Sequence, residues 1–204
     1  MKPLDMMGIM THEVAKAILR QGRILAMTVC MLTVMGVQAQ NTPAAKARVA
    51  EIRQMYAKAK AKIEQNEQSE RLSIPREDML ITNYCNMPGT GPKREVIHYY
   101  FLNQADGEEM IVYFQPYFIT RKYNVAAREF YEEYLYDHER RQLVFAFLRG
   151  IGIDDGKPWE VRYYWGENGL VHESGKISEA PVDDVVAKSR DLVDAFGFLM
   201  NQGR

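Results

Sequence analysis

The stretch Arg128–Asp137, REFYEEYLYD, decides the fold. Read as a helix running from Val125, it gathers Ala127, Phe130, Tyr131, Tyr134 and Leu135 on one side. Arg128, Glu129, Glu132 and Glu133 fall on the other, and Asn124 stands ready as a cap. Read as a strand it alternates less cleanly, because each parity carries a glutamate. Periodicity therefore favours the helix, and context favours the strand. The segments VIHYYF…MIVYF, EEYLYDHERRQLVFAF and VRYYWGENGLVHE share one layout: out through tyrosines, round a polar turn, back through aliphatic residues. A gap as short as HERRQ joins the two strands of a hairpin naturally. Helix propensity differences are worth under ~1 kcal/mol per residue and yield to tertiary context. The expectation is a strand.

Outward from this stretch the same grammar repeats. EVIHYYFLN, MIVYFQPYFIT, LVFAFLRG, WEVRYYW and LVHES are rich in Tyr, Phe, Val and Ile and are separated by Asp-Gly and Asn-Gly turns, the signature of antiparallel hairpins. Pro116 predicts an edge position or a bulge in its strand. Residues 72–95 read as loop, with a short strand at Met79–Thr82. Within them PGTGPK lacks the spacing of a phosphate loop, and Pro92 stands where a backbone N–H would be needed, so it reads as a turn.

A helix is expected on each flank. Over residues 42–70, Pro43 suits the first turn, and Val49, Ile52, Tyr56, Ala59 and Ile63 form an apolar stripe, with Lys58, Lys60 and Lys62 off it. Near the C-terminus Ser178 offers a cap. Val182, Val185, Val186, Leu192, Val193, Phe196 and Met200 form the face, Asp183 and Asp184 complement the helix dipole, and Gly203 is the stop. The fold class expected is α+β: an N-terminal helix, an antiparallel β-meander of about six strands and a C-terminal helix, with both helices on one face of the sheet.

The pattern YNVAAREFYEEYLYD…LVFAF…RYYWGENGLV, Tyr123 to Val171, resembles uncharacterised secreted proteins of Bacteroides-type bacteria. The resemblance covers about a quarter of the chain and implies the same pieces as strands of a meander. It implies no activity.

The first 39 residues read as a secretory signal. Arg20 and Arg23 precede the apolar run Ile24–Val37, and Val37 and Ala39 suit the −3 and −1 positions of a cleavage site. The run is 14 residues long, against about 20 for a membrane-spanning helix, which remains the alternative reading. The stretch before Arg20 is long for an n-region, so initiation at Met7 or Met10 is a further option. Cys30 follows Val29, which is too large for a lipoprotein site, and lipidation is the lesser alternative there. Cleavage leaves a single domain, residues 40–204, with one cysteine, Cys85, and therefore no internal disulfide. Its formal charge is −3, from 22 basic and 25 acidic residues. That excludes the basic stripe nucleic acid demands and any electrostatic hold on anionic lipid. The expected location is the periplasm or the extracellular space, with no membrane span after cleavage.

Sorting each strand by parity singles out His98 and Tyr100, Tyr113 and Tyr117, Glu132, Tyr134 and Tyr136, and Arg162 and Tyr164 as the outward set. Tyrosine presents a flat ring with a polar tip and suits a wet interface. These nine residues are the candidate binding set, with Glu132 and Arg162 supplying specificity. Cross-strand aromatic pairing alone accounts for the same tyrosines at about 0.2–1 kcal/mol per pair. No catalytic, metal or cofactor site is expected. Glu132 and Glu133 would point apart in a strand, the histidines lack metal-ligand spacing, and DDG at 154–156 is a turn. The leading expectation is an exported, non-catalytic binding or interaction protein that meets an unknown small ligand or protein partner on an aromatic sheet face. The alternatives are a small secreted hydrolase, with His98, His138 or Cys85 meeting a carboxylate, and a structural envelope component.

Overall fold

The computed structural model describes residues 42–69, 77–89, 91–105, 112–152 and 154–201. The expected signal segment, Cys30 and Gly203 lie outside them. Helix α1 (Pro43–Ser69) is followed by seven strands: β1 (Asp78–Met87), β2 (Gly91–Ala105), β3 (Val112–Val125), β4 (Arg128–Asp137), β5 (Gln142–Ile151), β6 (Pro158–Gly166) and β7 (Gly169–Gly175). Helix α2 (Val182–Asn201) closes the chain. The strands pair in sequence order, each antiparallel to the next.

REFYEEYLYD is β4, the central strand. Its five consecutive residues Glu132–Tyr136 are all buried. Alternate residues of a strand point to opposite sides, so such a run requires a cover on both faces of the sheet. The expected short strand at Met79–Thr82 extends to the ten residues of β1, and the meander has seven strands.

The helices are not on one face. Val49, Ile52, Ala59 and Ile63 of α1 pack on Tyr100, Phe118, Leu135, Phe145 and Tyr164. Val185, Leu192 and Phe196 of α2 pack on Tyr99, Ile119, Tyr134, Leu148 and Tyr163. These sets have opposite parity in every strand they share. The reason is in the sequence: HYYF, FIT, YLY, FAF and YYW are apolar at both parities, and one helix cannot seal two faces. The apolar stripes expected on both helices are the ones that pack. Lys60 and Lys62, expected off the stripe, hold their ammonium groups over rings, Nζ 5.5 Å from the Phe118 centroid and 5.2 Å from that of Tyr117.

Pro116 sits in an interior strand, so a bulge is what accommodates it. The register between β2 and β3 slips at Tyr100/Phe101, leaving Tyr117 as the extra residue. A second slip, at Leu135/Tyr136, brings Val144 and Phe145 together into the core under α1. At the start of α2 the expected cap is replaced. Ser178 lies in a 3-10 turn, Ile177–Glu179, and the Val185 N–H bonds the Pro181 carbonyl, so Pro181 occupies the cap position.

Helix α1 crosses the strands from β6 to the start of β1. Near its start Arg48 Nε donates to the Trp165 carbonyl at 3.4 Å. Near its end Asn66 Oδ1 accepts from the Glu77 N–H at 3.2 Å, and Lys62 pairs with Glu77 at 3.0 Å. That path covers one end of the strands on the α1 side. At the other end Lys122, Glu129, Arg149 and Glu160 are exposed.

Two-sided closure has a direct consequence. Ile52→Ala and Phe196→Ala should each lower unfolding stability in denaturant titrations, by about 2–5 and 3–5 kcal/mol respectively. A neutral Ile52→Ala would mean that α1 is an arm and not part of the core.

Candidate functional site

The candidate binding set is divided by the sheet. His98, Tyr100, Tyr117, Arg162 and Tyr164 lie on the α1 side, and Glu132, Tyr134 and Tyr136 on the α2 side. Tyr113 is in β3 opposite Gln104. Polar parity misassigns β4 because its polar member, Glu132, is itself buried at 2% exposure. Tyr100, Tyr117 and Tyr164 are buried on the α1 side. Arg162 keeps a more accessible side chain than His98, at 37% against 17%.

Glu132 and Glu133 point to opposite faces, as expected, and each is held in a closed network. Glu132 accepts from the Tyr134 hydroxyl at 2.8 Å, the Tyr123 hydroxyl at 3.0 Å, Arg121 Nη1 at 3.3 Å and Lys188 Nζ of α2 at 3.4 Å. Glu133 accepts from the hydroxyls of Tyr56 of α1 and Tyr131, both at 2.7 Å, with Lys60 Nζ at 3.6 Å. A buried carboxylate with its lone pairs filled by protein donors is a structural group. Arg121 also bridges to Glu95, through Nε at 2.7 Å. Burial alone would raise the Glu95 carboxyl, but bonds from Asn83 and Arg121 outweigh it and hold the group below its ordinary range.

The tyrosines of these networks resist ionisation. Burial, then Glu133, pushes Tyr56 and Tyr131 above the ordinary phenol range. Burial, then Glu132, does the same for Tyr123 and Tyr134. Tyr99, its hydroxyl buried without a partner, is pushed up to about 12 by burial and then by Glu95.

His98 forms a relay. Its Nε2 lies 2.6 Å from Asp78 Oδ2, and the Tyr100 hydroxyl lies 2.8 Å from its Nδ1. The remaining residues weighed for chemistry are not assembled. His138 is exposed and presents its carbonyl to Gln115 at 2.9 Å. Cys85 is exposed. Asp155 of the DDG turn bonds the Lys157 N–H and pairs with Lys176. Among the described residues no cluster of His, Cys, Asp and Glu has metal-binding geometry, and no helix is long and apolar enough to cross a membrane.

Among the described residues three cavities that adjoin the sheet bear on a site, and His98 lines none of the three. Two lie on the α1 side, one against the flank of the helix and one beyond it. One of about 260 Å³ holds Arg53, Tyr56, Glu133, Phe147, Arg162 and Tyr164. One of about 600 Å³ holds Lys122, Tyr131, Arg149, Trp159 and Glu160. Between them guanidinium groups lie over rings: Arg162 is 4.7 Å from the Phe147 centroid and Arg149 5.0 Å from that of Tyr131. Phe147, Tyr131 and Arg149 went unnoticed in the sequence because they take the parity opposite to the one sorted as outward in β4, or sit in β5, whose composition is aliphatic.

The third cavity, about 480 Å³, lies between α2 and strands β3 to β5. Phe114, Leu143, Val186, Val193 and Phe196 supply apolar wall, and the exposed Arg141 and Arg190 are its cations. Gly197 also lines it, and a Cβ there would meet nothing within 4 Å. A helix-interior glycine costs about 0.8–1 kcal/mol relative to alanine, so no packing constraint explains its presence. Arg141 takes a φ of +53°, a left-handed conformation in which glycine is cheaper.

No family model, curated protein or solved structure matches the chain.

The raised phenols make stability fall in alkali. Unfolded tyrosines ionise near pH 10, and the buried ones only above it. Their contribution is whole below about pH 10 and is lost as pH climbs further. A near-ultraviolet absorbance titration should show Tyr56, Tyr123, Tyr131 and Tyr134 ionising together with unfolding. Their separate titration near pH 10 with the fold intact would contradict the networks.

Proposed function

We propose that the chain is an exported, non-catalytic binding or interaction protein that meets its partner on the part of the α1 side left uncovered by the helix. The observation that carries this reading is the pair of stacks, Arg149 on Tyr131 and Arg162 on Phe147, beside two concavities on one sheet face. A guanidinium stacked on a ring is preorganised, and arginine and aromatic residues are enriched where partners bind. Glu160 is bonded to Arg162 at 2.7 Å, and Lys122 is paired with Glu129 at 3.4 Å, which gives the surface a polar rim. Of the residues expected from sequence, Arg162 and Tyr164 remain in this surface. Export rests on the apolar run Ile24–Val37 and the small residues after it.

A thermal-shift screen against sugars and peptides should find a class that raises the melting temperature by mass action. Arg149→Ala with Arg162→Ala should abolish that rise and leave the unliganded melting temperature within about 4 °C. A rise that survives both substitutions removes this surface from consideration.

One observation favours a second reading, a small hydrolase. The Asp78–His98 contact orients an imidazole as a general base requires. Against it, the ring nitrogen away from Asp78 is already engaged by Tyr100, whose side chain is buried. Hydrolysis of simple p-nitrophenyl esters should therefore be the same for the chain and for His98→Ala. Turnover that His98→Ala abolishes would support the hydrolase and contradict the binding reading.

A further inference from the structure

The cleft under α2 lies on the opposite side of the sheet from the surface just described and stands without it. We propose that this cleft binds a small amphipathic anion, its apolar body against Phe114, Leu143, Val193 and Phe196 and its charged head between Arg141 and Arg190.

Charge is the first argument. Among the described residues neither Arg141 nor Arg190 is paired with a carboxylate, whereas neighbouring Arg140 pairs with Asp137 and Glu167. Asp191 and Asp194 follow on the exposed part of α2 and engage neither guanidinium. Two unpaired guanidinium groups flanking an apolar wall complement a ligand with one anionic end. Size is the second. The volume of about 480 Å³ falls in the range of roughly 300–1,000 Å³ typical of small-molecule sites. The third is that two lining positions hold residues that local stability disfavours. Alanine at 197 suits the helix better, and the space is open to receive it. Glycine at 141 suits the left-handed backbone better. Glycine at 197 preserves the volume of the cleft, and arginine at 141 supplies its charge. Each departure from the local optimum serves the same cavity.

The probe is 1-anilinonaphthalene-8-sulfonate, a fluorescent amphipathic anion, titrated into the full chain and competed with decanoate or with neutral decanol. Saturable binding is expected, with decanoate displacing the probe at least tenfold more effectively than decanol. Arg141→Gly combined with Arg190→Gln should weaken the probe about tenfold and remove the preference for decanoate. Gly197→Leu should abolish the displaceable signal. Melting temperatures of Arg141→Gly and Gly197→Leu should equal or exceed that of the parent, so loss of binding is separated from loss of fold. Absence of saturable binding, equal competition by decanol and decanoate, or binding unchanged in both variants would each overturn the proposal. A drop in melting temperature for Gly197→Leu would show the cleft to be packing space and would overturn it as well.

Discussion

The burial of two adjacent carboxylates on opposite faces of one strand is the constraint on which the rest of the molecule depends. The pleat sends Glu132 and Glu133 apart, and both are buried, at 2% and 5% exposure. An unpaired buried carboxylate is costly enough that it would neutralise or the region would open. Here each is met by donors from separate elements. Glu132 draws on β3 and, through Lys188, on α2; Glu133 draws on α1 through Tyr56 and Lys60. The two acids therefore link each helix to its own side. Removing one member of such a group leaves the others charged and unpaired, which typically costs about 3–5 kcal/mol. The arrangement specifies which helix belongs where, beyond what apolar packing supplies.

The proposed binding falls on what this closure leaves open. Among the described residues the α2 side retains a cleft between the helix and strands β3 to β5. The α1 side retains the strand ends beyond the path of α1, at Lys122, Glu129, Arg149 and Glu160. The tyrosines that drew attention in the sequence mostly serve the closure. Tyr134 and Tyr136 bond Glu132 and Ser189, Tyr163 bonds the Ala180 carbonyl ahead of α2, and Tyr100 engages His98. The uncovered surface is carried by arginines lying on rings.

Much of the fold was legible because hairpins and amphipathic stripes are local signals. The turn residues placed six strands, the three- and four-residue spacing placed both helices, and repetition of layout resolved REFYEEYLYD correctly against its own helical periodicity. Strand β1 was only partly seen because an edge strand with Thr82, Asn83 and Asn86 carries little apolar signal. The side taken by each helix was missed because it depends on both parities of every central strand being apolar, and a rule that assigns the polar parity outward fails where a glutamate is buried. The candidate surface was half legible. Arg162 and Tyr164 were found by parity, whereas Arg149, Tyr131 and Phe147 depend on register and on where α1 stops, and neither can be read from a single strand. Arg141 and Gly197 carried no sequence signal, since each stands out only against its backbone angle or its empty neighbourhood.

The central claim, that α1 and α2 each cover one face of the central strands, is tested most directly by hydroxyl-radical footprinting read residue by residue. The account predicts strong labelling of Tyr131 and Phe147, with protection of Phe118 and Phe145 beneath α1 and of Tyr134 and Phe196 beneath α2. Labelling of Phe118 and Phe145 as strong as that of Phe147 would show the α1 side to be open, and would contradict it.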